Sequence, residues 1–224
     1  MSVEQNIEIK KSKHGEMIPA IDGVFLHSAY NPIREAEAFV ENHLSTLRQK
    51  NNILVLGLGF AYHIDQMLYH LNNFHTQYRL VVIEPSLNMA EACRQIHPQN
   101  LDKIILLAGK EVKTLFEDAN FIRFLMDKPG VIAHPTSLNL NSDYFSKLLS
   151  FEADQTIKSF AERMPASLIP YFNQFSPDTN LSTILKNFEL KTTLDNPADY
   201  LIGALAGWTQ TNNLETNNEK STHC

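Results

Sequence analysis

Two glycines, a carboxylate and a short polar loop are the residues of this sequence whose types and spacing could form a binding site. Gly57 and Gly59 follow an apolar run directly and form a Gly-x-Gly-x-Ala turn with Ala61. Glycine allows a tight turn and a close approach of the backbone to a ligand. The free N–H groups of a helix that begins after the turn favour anions. The pattern predicts a nucleotide or nucleoside site, with Tyr62 and His63 beside it.

Glu84 is the second candidate for this site. It ends the next apolar run, Leu80 to Ile83, and follows Gly59 by 25 residues. In Rossmann-like folds a carboxylate in this place accepts hydrogen bonds from the ribose hydroxyls of a nucleotide. The alternative is that the glycines only allow the helix to pack tightly and that Glu84 is a solvated strand end.

The polar stretch after the fourth apolar run provides the third group of candidates. His134, Thr136 and Ser137 follow this run and should face the same edge of the sheet as the glycine turn, in a loop that contacts the ligand. The alternative is a capped strand end. The sequence contains no HExxH motif, no nucleophile elbow and no suitably spaced carboxylate beside this loop. We therefore assign no catalytic residue, and whether the protein is an enzyme stays open.

These candidates depend on apolar runs that alternate with helical patterns. Alternation of this kind predicts an α/β fold with a doubly wound, mostly parallel Rossmann-like sheet. We expect a small N-terminal β meander over residues 1–30, an α/β domain with C-terminal helices over 31–208, and a disordered polar tail over 209–224. One long helix is predicted from about residue 142 to 163.

The last helical segment, 198–208, has an apolar stripe that should be buried. The stripe should pack against the edge of the domain's own sheet or against a second subunit, because soluble monomers seldom expose such a patch. The alternative is a helix folded back onto its own core. At helical spacing it comprises Ala198, Leu201, Ile202, Leu205 and Trp208.

Composition excludes several classes of partner. The net charge is −6 and there is no basic block, which argues against nucleic acid. No apolar run approaches the roughly 20 residues that cross a bilayer. The N-terminus lacks the apolar core of a signal peptide, so a cytoplasmic location is expected. The two cysteines, Cys93 and Cys224, imply neither a disulfide nor a metal framework, and no metal site is predicted.

Five short motifs occur in a familiar order between residues 27 and 144. Together they resemble the N-terminal domain of the motility-associated factor (Maf) glycosyltransferases, which are linked to flagellin glycosylation with nonulosonic acids. The resemblance covers about residues 5–150. The motifs are His27-Ser28-x-Tyr30-x-Pro32-x-x-Glu35-Ala36, Gly57-x-Gly59-x-Ala61-Tyr62-His63, Glu84-Pro85, His134-Pro135 and Asn141-x-x-Tyr144.

The resemblance implies a stand-alone Rossmann-like module that binds a nucleotide or nucleotide-sugar, or serves as an accessory protein, in flagellar or surface-glycan glycosylation. A homodimer or a partner glycosyltransferase is expected with it. Ala61 stands where the family's turn usually has a third glycine. In that family glycosyl transfer is assigned to a following domain, for which this chain of 224 residues leaves no room. No catalytic residue is therefore carried over.

Two other functions stay open. In a methyltransferase with a Rossmann-like fold, Gly57, Gly59 and Glu84 would hold S-adenosylmethionine. Against this, Val55 and Leu56 stand where many methyltransferases have an acidic residue, and His-Pro-Thr-Ser replaces an Asn/Asp-Pro-Pro-Tyr loop. The third possibility is an interaction protein whose glycine turn binds nothing.

Overall fold

The structure is a computed structural model that describes residues 6–98, 101–188 and 197–218, with side chains up to residue 207. The chain divides into two compact units, residues 1–151 and 152–224. The division falls inside the range 31–208 that the sequence analysis treats as one domain.

The first unit begins with a three-stranded antiparallel sheet in the order β1-β2-β3. Its strands are β1 (Ile7–Lys11), β2 (Met17–Ile21) and β3 (Val24–Phe25). Asp22 and Gly23 between the last two strands have φ of 49° and 81°. Positive φ at both central residues is what a tight two-residue hairpin requires, and Asp-Gly is a preferred sequence for it. The predicted small N-terminal β meander is confirmed.

A four-stranded parallel sheet follows, in the order β6-β5-β4-β7. Side chains on its two faces enter separate apolar cores, so both faces are covered. This double coverage explains why the strands are near-continuous apolar runs. The predicted doubly wound Rossmann-like fold is confirmed. The strands are β4 (Asn52–Leu56), β5 (Arg79–Glu84), β6 (Ile105–Ala108) and β7 (Gly130–Ala133).

Eight helices of the first unit connect or flank these strands in the described residues. Asn31 begins the first helix as predicted, because its Oδ1 accepts the Arg34 N–H at 2.9 Å and Pro32 follows at the first helical position. The helices are α1 (Pro32–Glu41), α2 (Leu44–Gln49), α3 (Tyr62–Phe74), α4 (Leu87–Ile96), α5 (Val112–Leu115), α6 (Ala119–Met126), α7 (Pro135–Leu140) and α8 (Ser142–Leu149).

The strand order defines where a ligand could bind. From β4 the chain adds β5 and then β6 on one side, and β7 then pairs with the opposite side of β4. The topological switch point therefore lies between the carboxyl ends of β4 and β7. Open α/β sheets bind ligands in the crevice at such a point.

The long helix predicted over residues 142–163 is wrong. Helix α8 ends at Leu149, and a separate helix, α9 (Ile157–Ala161), begins after a break. In the break, Asp154 Oδ1 accepts the Thr156 N–H at 2.9 Å, and Thr156 Oγ1 accepts the Ser159 N–H at 3.2 Å. Such local side-chain hydrogen bonds compete with the helical ladder. The apolar spacing continues across the break and does not reveal it.

The second unit is a small helical cluster. Besides α9 it contains a 3₁₀ turn (Ile169–Phe172), α10 (Leu181–Phe188) and α11 (Pro197–Asn218). Its apolar core consists of Ile157, Phe172, Ile184 and Ile202, with partly buried neighbours.

Helix α11 contains the apolar stripe predicted over 198–208. Ile202 is 1% exposed, and the stripe packs against α10 and the 3₁₀ turn within the second unit. The helix thus folds back onto its own core, as one of the alternatives from the sequence proposed. The side chain of Trp208 lies outside the described residues. The helix continues to Asn218, past the start of the predicted tail at 209, and residues 219–224 are not described.

None of the described helices combines the length and the apolar character needed to cross a membrane.

Candidate functional site

The glycine turn after β4 is in close contact with two side chains from distant segments. Gly57 has a φ of 97° and Gly59 a φ of 51°. A Cβ on Gly57 would lie 2.3 Å from the Cβ of Ser137, and one on Gly59 would lie 2.5 Å from Nε2 of His27. The glycines therefore allow Ser137 and His27 to occupy the space beside the turn. Ala61 also has a left-handed conformation, with a φ of 60°, which explains a preference for glycine at this position.

Glu84 is buried behind the glycine turn. It is 2% exposed, so the interpretation of a solvated strand end is wrong. Its Oε2 accepts the Leu58 N–H at 2.9 Å, and its Oε1 accepts the Ser86 N–H at 3.0 Å. Burial raises the pKa of Glu84, and the hydrogen bonds from backbone N–H groups oppose that shift. The carboxylate thereby ties the loop after β4 to the loop after β5.

His27 reaches the turn from the end of the N-terminal sheet. The N–H of Phe60 donates to Nε2 of His27 at 2.9 Å, which leaves the ring proton on Nδ1. Nδ1 lies 3.8 Å from Oε2 of Glu35 on α1. Glu35 also accepts the Ser28 N–H at 2.7 Å, so its carboxylate fixes the segment that precedes α1.

His63 lies in the first turn of α3, beside the glycine turn. Its Nε2 is 3.1 Å from the carbonyl oxygen of Gly57, a geometry that requires an Nε2–H donor. The other ring nitrogen, Nδ1, is then an acceptor. Nδ1 is buried and has no hydrogen-bond partner, and no other buried side-chain nitrogen or oxygen in the described part of the chain lacks one. An unpaired buried acceptor is costly, so this atom needs an explanation.

His134 is the N-cap of α7. The stretch His134–Ser137 was interpreted as a loop, but Pro135 already begins this helix. Nδ1 of His134 lies 2.8 Å from Oγ and 3.4 Å from the backbone nitrogen of Ser137. The capped strand end is therefore the better description of His134. Thr136 is half-buried in the first turn of α7.

Together, His27, His63 and His134 form a buried histidine cluster. One ring nitrogen from each lies within 4.8 Å of the others. The rings of His63 and His134 stack at 4.6 Å with an interplanar angle of 11°, and the ring of Phe39 packs edge-on against both.

The imidazoles of the histidine cluster are neutral at neutral pH. Burial lowers the pKa of His27 and His63 well below the usual value, with a further contribution from the neighbouring imidazoles. Burial also lowers the pKa of His134 to about 4. Neutral imidazole has one nitrogen that can accept a proton, a hydrogen bond or a metal ion.

Tyr62 has a structural position at the edge of this site. Its hydroxyl donates to the carbonyl oxygen of Met17 at 2.7 Å, and its ring packs edge-on against His27 and His97. Burial raises the pKa of Tyr62 to about 12. Tyr62 thus links α3 to the N-terminal sheet.

The structure brings most of the sequence candidates together at the switch point. Gly57, Gly59, His63, His134 and Ser137 meet there, and Glu84 lies directly behind the turn. The sequence analysis missed one member of the cluster, His27, which it used only as part of a motif. A usable signal was that His27 and His134 each follow the end of an apolar strand directly.

The fold and the site define a Rossmann-like α/β protein with a buried polar cluster at its topological switch point. No family model matches the chain, and no curated protein matches it. Among solved structures, MNMC2 from Aquifex aeolicus is similar, with 24% sequence identity over 52% of this chain and a TM-score of 0.37. The similar region spans 47% of the MNMC2 chain, about half of its length.

Proposed function

We propose that this protein binds a small ligand at the switch point between β4 and β7, and that the ligand is a nucleotide or a nucleotide-sugar. The observation that carries the proposal is the meeting of the glycine turn after β4 with the start of α7 after β7. Ligands of open α/β sheets bind in this crevice.

Ligand binding requires a movement at this point. Ser137 and His27 fill the space beside Gly57 and Gly59, and both oxygens of Glu84 accept backbone N–H groups. Separation of the start of α7 from the glycine turn would open the crevice between the two strands. Each carboxylate oxygen has a second lone pair, so Glu84 could then also accept a ribose hydroxyl.

The process we propose is flagellar or surface-glycan glycosylation. The support is the motif resemblance, together with the positions of its residues. His27, Gly57, Gly59, Glu84 and His134 come from four of the motifs and lie in one region of the structure. In this role the protein is an accessory module that works as a homodimer or with a glycosyltransferase.

Titration calorimetry with CMP-sugars, on protein treated with EDTA, tests the ligand class. We expect binding of a CMP-sugar and a weakening of about 5- to 150-fold in Glu84→Ala, the equivalent of roughly 1–3 kcal/mol for a charge-assisted hydrogen bond. Glu91→Ala, at an exposed carboxylate on α4, is the matched control and should bind as the wild type does. The absence of heat with every CMP-sugar would refute the proposed ligand.

The second candidate function is an S-adenosylmethionine-dependent methyltransferase. The observation in its favour is that Glu84 ends the strand beside β4 and contacts the glycine turn, the arrangement that would hold the cofactor. Binding of S-adenosylmethionine and S-adenosylhomocysteine, without binding of CMP-sugars, would favour this function. Leu56 at the end of β4 and His134-Pro135 after β7 argue against it, as the sequence already indicated.

A further inference from the structure

We propose that the histidine cluster is a binding site for a divalent transition-metal ion, with Zn²⁺ as the best fit. The cluster places three buried imidazoles so that one ring nitrogen from each lies within 4.8 Å of the others. The inference does not depend on the nucleotide ligand proposed above. A metal ion is also small enough for a buried cluster that a nucleotide could reach only after the start of α7 had moved.

The unpaired nitrogen of His63 is the strongest evidence for a metal ion. A metal-binding histidine coordinates through one ring nitrogen and donates the other N–H to an oxygen, which fixes the ring. His63 already donates from Nε2 to the carbonyl oxygen of Gly57. Its Nδ1 is buried without a partner and has its lone pair available. A metal ion would satisfy this atom.

The other two histidines have oxygen atoms in the same supporting role. In the tautomer with its proton on Nδ1, His134 gives up the Ser137 N–H at 3.4 Å and donates to Oγ of Ser137 at 2.8 Å, which leaves Nε2 for the metal. Nδ1 of His27 lies 3.8 Å from the Glu35 carboxylate, so a small approach would form this hydrogen bond, and Nε2 would be the ligand atom of His27. This nitrogen accepts the Phe60 N–H in the present structure, so the metal would replace that donor.

Metal binding would tighten the histidine cluster. Zn–N bonds of about 2.0–2.1 Å in a tetrahedral site place the nitrogens roughly 3.4 Å apart. The ring nitrogens, which now lie within 4.8 Å of one another, must therefore approach by up to roughly 1.4 Å. The stacked rings of His63 and His134 must also tilt so that their lone pairs converge.

The ligand set selects the class of metal. Imidazole nitrogen suits Zn, Cu, Ni and Fe, whereas Mg²⁺ and Ca²⁺ prefer oxygen ligands. Three protein ligands leave the fourth tetrahedral position to water or to an oxygen of another bound molecule. The site thus resembles an open coordination site more than the closed four-ligand sites that only stabilise folds.

Zinc titration of the full chain, stripped of metal and free of nucleotide, tests the proposal. All proteins carry Cys224→Ser, which removes the thiol of the polar tail as an adventitious ligand. We expect one equivalent of Zn²⁺ by calorimetry and, with Co²⁺, the visible absorption of a tetrahedral site with nitrogen ligands. His63→Gln keeps a donor for Gly57 and loses the ring nitrogen, so its affinity should fall by at least about 100-fold. His14→Gln, at an exposed histidine, should bind as the parent does.

A second variant tests the proposal even if His63→Gln fails to fold. Glu35→Gln retains an oxygen for the Ser28 N–H and removes the charge that faces His27, and its side chain is 43% exposed. Its zinc affinity should fall by about 10- to 100-fold, the usual effect of losing a supporting partner. No binding by the parent protein, or equal affinity in the parent and His63→Gln, would refute the metal site, and equal affinity in Glu35→Gln would refute the supporting role of Glu35.

Discussion

Replacement of Gly59 by alanine tests whether the glycine turn exists to admit His27. The first contribution to the loss of stability comes from the backbone, because an alanine in a left-handed conformation costs about 1–2 kcal/mol. The second is steric, since the new Cβ would lie 2.5 Å from Nε2 and 3.1 Å from Cε1 of His27. If His27 moves, the buried Phe60 N–H loses its acceptor, at a cost of about 1–3 kcal/mol. We therefore expect Gly59→Ala to lower the free energy of unfolding by about 2–5 kcal/mol.

Gly23→Ala is the matched control. Gly23 has a φ of 81°, and a Cβ there would meet nothing within 4 Å. This variant should therefore show only the backbone cost of about 1–2 kcal/mol. Urea unfolding followed by circular dichroism measures both variants, and the difference between them isolates the contact with His27. Equal destabilisation would refute the reasoning, because it would mean that His27 moves aside without cost.

Four further predictions concern charge, the carboxylate and the C-terminal helix. In EDTA, the free energy of unfolding should rise between pH 4 and 6.5. The pKa of His134 is lowered to about 4, so in this pH range the unfolded chain binds more protons than the folded protein, and this histidine contributes about 3 kcal/mol across the range. The raised pKa of Glu84 acts in the opposite direction. Urea midpoints against pH should have a flatter slope for His134→Gln than for the wild type, and identical slopes would contradict the assignment. Glu84→Ala should also lower the free energy of unfolding by at least about 2 kcal/mol, since two backbone N–H groups lose their acceptor, while Glu91→Ala should have little effect in the same urea assay. Deletion of residues 209–224 should leave the melting temperature within about 2 °C, and a larger drop would show that this end of α11 is docked. Trp208→Glu should lose stability in melting experiments without a change of oligomeric state in light scattering, because the stripe of α11 packs within the second unit. A wild-type dimer that dissociates on mutation would instead indicate that the stripe is a subunit interface.

Local patterns determined the elements of this fold. The apolar runs predicted the four parallel strands because a strand buried on both faces needs apolar side chains throughout. Asp22-Gly23 forms a turn and Asn31-Pro32 a helix start, because the conformations they favour are intrinsic to those residues. Each of these signals acts over a few neighbouring residues and can be read without the rest of the chain.

The tertiary structure decided what surrounds the glycine turn. The sequence showed that Gly57 and Gly59 admit a close neighbour, and the neighbours proved to be Ser137 and His27. The same packing buried Glu84 and gathered three histidines from separate segments into one cluster. Glycine specifies where space is left beside the backbone, but the group that fills the space is selected by contacts among segments far apart in the chain. Those contacts have no periodicity in the sequence, and only the folded chain reveals them.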